Sequence, residues 1–256
     1  MEDAGGTFLK FGQVLSLQPD VLPRDYCNAL FDLLDRVPPF ELADVERVFR
    51  EELGRRPSEV FDEFDPVPLA AASIGQVHVA RLGDRRVAVK VQRPDIDTSF
   101  NADLKLMSAV SVLIARLRIH RLSWLRQAIS EFIDWTREEL DYRTEARFMD
   151  ALGHNARNRP TEAIPGLVRE FTTSRILVAD FLEGPILVDY LRAIETGRGR
   201  EFETSRLGES FDRHELATNI VRNFVSDAFH HGLFHADLHP ANLLILEDNV
   251  VGYVDF

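Results

Sequence analysis

Two hairpin patterns set far apart constrain the fold of this chain more than any other feature. The first runs Val77-His-Val-Ala80, a turn at Gly83-Asp84, then Val87-Ala-Val-Lys-Val91. The second runs Leu243-Leu-Ile-Leu246, Glu247-Asp-Asn249, then Val250-Val-Gly-Tyr-Val254. Apolar, β-branched runs around Gly, Asp and Asn turns predict antiparallel strand pairs. Between the two, apolar residues recur at helical spacing over about residues 97–118, 124–138, 142–152 and 214–230. Long helices bracketed by short hairpins predict an α+β fold.

The flanking segments fill out the order. Residues 3–17, the stretch from Pro23 through Leu34, and residues 42–53 carry helical apolar patterns, with Gly54 placed as a C-cap. Shorter strands are expected at Phe61–Phe64, Leu167–Phe171 and Arg175–Phe181. Gly184-Pro185 marks a hinge, and the polar, Gly-rich residues 196–210 predict a mobile loop. On the 142–152 helix, Glu145 is expected to pack near the apolar positions Phe148 and Leu152. The expected organisation is a helical extension over 1–55, a strand-rich lobe with inserted helices over 56–183, and a partial helical lobe over 184–256.

Composition excludes some functions. A net charge of −12 opposes broad binding to nucleic acid, whose backbone repels an acidic surface. The single cysteine, Cys27, rules out an internal disulfide or a thiolate metal site and is expected to be packing filler. The N-terminal Met-Glu-Asp has no basic flank leading into an apolar run, so no signal peptide is predicted. The greasiest helical stretch, Leu104–Leu117, contains Lys105 and Arg116 and is too short to span a bilayer. The expectation is a soluble fragment, cytoplasmic or peripheral at a membrane, from a parent chain that a membrane anchor would suit.

The chemistry concentrates in His235-Ala-Asp237-Leu-His-Pro-Ala-Asn242 and Val254-Asp255-Phe256. Asp237 is placed to accept or orient a hydroxyl proton. Asn242, five residues on, offers a carbonyl to Mg²⁺, and Asp255, at the end of an apolar strand, offers a carboxylate to the same ion. That spacing is the one a phosphoryl-transfer site uses with Mg-ATP. Lys90, near the end of a strand, supplies a point charge for nucleotide phosphates. Glu145 is the first-choice acidic partner for it, with Glu139 and Asp141 as rivals. The segment Ala70-Ala-Ala-Ser-Ile-Gly-Gln76 stands where a phosphate loop is expected. Ala71, Ala72 and Ser73, with their backbone N–H groups, would line it, although a small-residue strand packed under a helix is the competing reading. His235 and His239 are expected to brace the Asp237 loop. A zinc site built from His230, His231, His235 and His239 is disfavoured by Pro240, which breaks the helix that an i, i+4 pair needs.

These motifs closely resemble those of the ABC1/ADCK/UbiB family of atypical protein-kinase-like proteins. The resemblance starts at Lys10-Phe-Gly-Gln13, similar to the family's KxGQ motif. It continues through the alanine-rich loop, Val87-Ala-Val-Lys90, Glu139-Leu-Asp141 (similar to the ExD motif), Glu145-Ala146, His235–Asn242 and Val254–Phe256. It implies a bilobal protein-kinase-like fold with a helical N-terminal extension and a truncated C-lobe, since the chain stops before the glycine of a DFG-like motif. It also implies that Lys10 and Gln13 reach toward the nucleotide, with Glu139 and Asp141 nearby, in a pocket closed to peptide substrates. The implied activity is that of an atypical kinase or ATPase using ATP and Mg²⁺ on a small-molecule or lipid-related substrate. The setting implied is isoprenoid-quinone biosynthesis, with membrane-associated partners. Two other readings stay open: a nucleotide-gated, non-catalytic module, and a small-molecule kinase of the aminoglycoside or choline kinase type.

Overall fold

The structure, a computed structural model, describes residues 38–116 and 123–256. Lys10, Gln13, Cys27 and the expected helices before Pro38 lie outside the described residues. The first described helix, α1 (Leu42–Leu53), forms where the pattern predicted it. It buries Val45, Val48 and Phe49, one helical stripe, and ends at Gly54. Gly54 has φ 68°, and its N–H returns to the Arg50 carbonyl at 3.1 Å, closing the last turn in the left-handed conformation that glycine adopts freely. A short turn of helix, α2 (Pro57–Val60), follows.

The strands β1 (Glu63–Phe64), β2 (Ala70–Ala71), β3 (Gly75–Leu82), β4 (Arg85–Gln92) and β6 (Ile176–Asp180) form one sheet in the order β1-β3-β4-β6, with β2 also paired to β3. Gly83, at φ 60°, makes the β3–β4 turn. Burial alternates along β4: Val87, Val89 and Val91 are fully buried. Strand β3 carries two buried polar residues, which hold the chain that enters α1. Gln76 accepts the Phe40 N–H at 2.9 Å and donates to its carbonyl at 3.2 Å. Its amide also meets His78 Nε2 at 2.9 Å, while His78 Nδ1 lies 2.8 Å from the Asp65 carbonyl.

Three helices are inserted between β4 and β6: α3 (Ile96–Arg116), α4 (Ser123–Glu139) and α5 (Tyr142–Ala156). Leu104 and Met107 of α3 bury against Ile129 and Phe132 of α4. A second sheet has the order β5-β8-β7, with β5 (Glu162–Ala163) parallel to β8 (Val251–Tyr253) and β7 (Leu243–Ile245) antiparallel to it. The β7–β8 pair is the predicted second hairpin. Its partner β5 had no sequence signal, since two residues carry no periodicity. Between β6 and β7 lie α6 (Leu187–Glu195), α7 (Gly199–Phe202) and α8 (Arg213–Ser226), the last continuing as a π turn over Asp227–His231.

Close contacts group the chain into two units. One holds the described residues up to Gly83, with Val89–Tyr142 and Thr173–Ile176. The other holds Asp84–Ala88, Arg143–Thr172 and Leu177–Phe256. Its core sets Leu187 and Tyr190 of α6 and Leu216 of α8 against Leu243, Ile245, Val251 and Tyr253 of the second sheet.

Three local expectations are corrected. Residues 167–171 are not a strand: Leu167 makes one bridge to Ala179, and Arg169–Phe171 turn as a 3₁₀ helix capped by Thr172, whose hydroxyl donates to the Val168 carbonyl. Residues 196–210 are not simply a loop but contain α7 and a π turn over Glu203–Leu207. Phe202 packs 5.7 Å from the Tyr190 ring, and Glu203 accepts from the Tyr190 hydroxyl and pairs with Arg213 at 3.0 Å. On α5, Phe148 is 44% exposed, and Met149 takes the buried position instead.

Candidate functional site

The first unit carries the expected phosphate-loop and lysine residues. Ala70 and Ala71 pair with Val77 and Gln76, so the alanine-rich segment is a tight β2–β3 hairpin. Ala72 N–H donates to the Gly75 carbonyl at 2.7 Å, which puts Ser73 in the turn. Ala70–Ala71 thus form a short strand, and Ala72–Ile74 form its turn. Ile74 is buried with Ile96, Phe100 and Leu140, anchoring the turn. Gly75 is required by close approach: a Cβ there would overlap the Tyr142 hydroxyl and come within 2.6 Å of the Val91 carbonyl oxygen. Lys90 lies on β4 with its ammonium 5.2 Å from the Tyr142 ring centroid.

Glu139 and Asp141 straddle Leu140 at the junction of α4 and α5. That junction is held from beneath. Gln92, fully buried, donates to the Leu140 carbonyl at 2.9 Å, and Tyr142 N–H donates to the Ser174 carbonyl at 2.9 Å. Sequence reasoning missed Gln92, whose place two residues after Lys90 on one strand face was the available signal. It also missed Tyr142, whose only signal was adjacency to Asp141.

The second unit brings together Asp237, Asn242 and the backbone next to Asp255. Asn242 Nδ2 donates to Asp237 Oδ2 at 3.0 Å and to its carbonyl at 3.3 Å. The β7–β8 register sets Leu243 opposite Tyr253, and Val254 N–H donates to the Asn242 carbonyl at 3.0 Å. The hairpin thus places Asn242 across from the residue preceding Asp255. Asp255 has φ 64°, a left-handed conformation rare outside glycine and concentrated at functional sites. Glu145 Oε1 accepts the Phe256 N–H at 3.4 Å, so this carboxylate touches the chain immediately after Asp255.

Two histidines brace this loop in different ways. His239 Nδ1 accepts the Ala241 N–H at 3.2 Å, capping the 3₁₀ turn Pro240–Asn242. His235 is buried with its ring 5.8 Å from Tyr253 and 5.2 Å from Phe256. Neither of its nitrogens has a hydrogen-bond partner among the described residues, so it supports the loop by ring packing and not through a bond to Asp237.

The supports beneath the loop are polar. Asn249, in the β7–β8 turn, accepts from Asp212 N–H at 2.8 Å and donates to the Ser210 carbonyl at 3.2 Å and to Glu215 at 2.9 Å. Its own carbonyl accepts from Asn219 at 3.0 Å. Below β8, Arg159 bridges two buried carboxylates, Glu162 at 2.7 Å and Asp227. Burial, reinforced by the Asp227 charge and opposed by Arg159, pushes the Glu162 carboxyl up to about 7. The Tyr253 hydroxyl is pushed above its ordinary value by burial and by Glu162.

The donor set fits a hard divalent cation. Because the Asn242 amide nitrogen donates to Asp237, its side-chain oxygen is the atom it would offer a cation, and Asp255 would offer a carboxylate. Mg²⁺ is bound by one or two protein oxygens together with phosphate oxygens and water. Among the described residues no group of three or more His, Cys, Asp and Glu is arranged to hold a metal ion. No helix among them is long and apolar enough to cross a membrane.

Comparison with known proteins assigns the chain. Residues 32–256 match the model of the ABC1 atypical kinase-like domain. The chain belongs to the ABC1 family. Activity of BC1 complex kinase 8, a chloroplastic protein of Arabidopsis thaliana, is 32% identical over 248 residues, covering 96% of this chain and 31% of that protein. An uncharacterized protein of Mycobacterium tuberculosis is 33% identical over 264 residues, covering 99% of this chain and 50% of its own length. A Mycobacterium tuberculosis protein solved in complex with erythromycin is 30% identical, with a TM-score of 0.67, over 96% of this chain and 59% of that one. The ABC1 chain described here therefore spans about a third to three-fifths of the length of these relatives. Its α+β fold of mixed helices and sheets is that of a kinase-like ABC1 domain.

Proposed function

We propose that this chain is the nucleotide-binding part of an atypical kinase or ATPase of the ABC1 family, acting with Mg-ATP on a small-molecule or lipid-related substrate, in isoprenoid-quinone or lipid metabolism. One observation carries the reading most: the Asp237–Asn242 hydrogen bond, with Asn242 set across the hairpin from the residue before Asp255. In this reading residues 56–183 belong to the N-lobe and residues 184–256 to the C-lobe, and Lys10 and Gln13, outside the described residues, serve the nucleotide.

Each residue has a role. Lys90 neutralises nucleotide phosphate charge, with Glu145 as its acidic brace. Ala71, Ala72 and Ser73 offer backbone N–H groups at the β2–β3 turn. Asp237 orients the hydroxyl or water that attacks, and Asn242 holds the Asp237 carboxylate in place. Asn242 and Asp255 would hold Mg²⁺, which, when bound, neutralises charge on the β- and γ-phosphates. Glu139 and Asp141 stand on the rigid α4–α5 junction and complete the polar lining. Positioning and electrostatics supply most of the rate in such transfers.

The test is Mg-ATP binding and phosphate release measured together on the full-length protein, with Asp255→Asn and Asp255→Ala as controls. Asp255-dependent binding and release are expected. Binding without turnover favours the nucleotide-gated module, and release stimulated by a choline-like or sugar substrate favours the small-molecule kinase reading. If Asp255→Ala binds Mg-ATP as tightly as the native protein, the metal role is wrong.

A further inference from the structure

A lysine on a strand is a poor point of precision. Its stem has four rotatable carbons, and its ammonium carries no directional fork, so something must limit where the charge sits. Three observations meet at Tyr142. The Lys90 ammonium lies 5.2 Å from the centroid of its ring, within the range at which an aromatic face attracts a cation. At the other end of the same side chain, the hydroxyl lies against Gly75, so close that any Cβ at that position would overlap it. The side chain itself is immobilised, being 1% exposed. Its backbone is pinned by the Ser174 carbonyl, and the preceding residues are pinned by Gln92. Lys90, Gly75 and Tyr142 all belong to the first unit, so this arrangement is internal to it.

We propose that Tyr142 is the positioning residue for Lys90, holding the ammonium on its ring face while its hydroxyl end fixes the β2–β3 turn at Gly75. The proposal rests on the reading of Lys90 as a nucleotide-phosphate ligand and adds to it the means by which lysine and loop are kept in register. Residue 75 has no side chain because the tyrosine hydroxyl and the Val91 carbonyl together occupy that space. Tyr142 touches no phosphate in this scheme and acts only through its two neighbours.

The experiment is a double-mutant cycle on the full-length chain, with Mg-ATP dissociation constants measured by calorimetry and melting temperatures measured alongside. Tyr142→Leu is expected to weaken binding about three- to tenfold, the range a partly desolvated cation–aromatic contact supplies. Tyr142→Phe, which keeps the ring, is expected to recover most of that loss. In a Lys90→Met background, Tyr142→Leu is expected to lose most of its effect, because only the turn at Gly75 is left for it to act through. A residue important only for folding would weaken binding equally in both backgrounds. A second series guards against misfolding: phenylalanine analogues bearing one, two and three fluorines at position 142 keep the shape and drain the ring face of charge. Dissociation constants should rise stepwise with fluorine number. Equal affinity across that series, or an undiminished Tyr142→Leu loss in the Lys90→Met background, overturns the proposal. If native protein shows no Mg-ATP binding, or Lys90→Met binds as tightly as native, the nucleotide reading of Lys90 falls instead and takes this proposal with it.

Discussion

Asn249 shows how much one buried side chain can organise. It is 3% exposed and sits at φ 59°, yet its amide and carbonyl satisfy four partners on α8 and the segment before it. Asn249→Ala removes three of these bonds, those to Asp212, Ser210 and Glu215, and leaves in the left-handed region an alanine, which tolerates it less well than asparagine. A loss of about 2–3 kcal/mol is expected, read as a lower urea midpoint with an unchanged m-value. Glu162 gives a prediction of opposite kind. Its folded value of about 7 lies above the ordinary 4.5, so folding takes up a proton between the two. Stability therefore declines as pH rises from about 4.5 to about 7 and stays reduced above that. The full penalty is of order 3 kcal/mol. Glu162→Gln leaves Arg159 paired with Asp227 and should flatten that slope, so that the variant is the more stable protein at pH 8 and gains little at pH 4.5. Denaturant midpoints at the two pH values check it.

At the scale of elements, the segment 196–210 is the instructive departure. Its composition is that of a loop, and three glycines within or beside it argue for mobility. Tertiary contacts override the composition: the ring of Tyr190 gives Phe202 a surface to cover, and Glu203 is held by both the Tyr190 hydroxyl and Arg213. Glu203→Ala should release this clamp, so that hydrogen exchange accelerates across residues 199–207 while amides of β7 and β8 keep their protection. Uniform acceleration in both places would mean that Glu203 supports the whole unit rather than this segment. The hairpins were legible for the reverse reason. A strand pair joined by a turn is local in sequence, and alternating burial at Val87, Val89 and Val91 leaves its mark on neighbouring residues.

At the scale of the whole molecule, charge decides what the surface can meet. With a net charge of −12, DNA should not compete for the nucleotide site at physiological salt, and a salt-sensitive complex of micromolar affinity would overturn that expectation. By itself the sequence determined the residues whose spacing is short: Asp237 with Asn242, the hairpin that carries Asp255, the strand bearing Lys90, and the α+β class. Each depends on a periodicity or an interval of a few residues. The tertiary structure alone decided the pairs that such intervals cannot encode. Glu145 reaches the Phe256 N–H across 111 positions, Gln92 holds Leu140 across 48, and Arg159 joins Asp227 across 68. The same is true of Tyr142 beneath Lys90. Packing of elements distant in the chain creates those contacts. The free energy that selects them comes from burying apolar surface elsewhere, so the residues themselves announce nothing in advance.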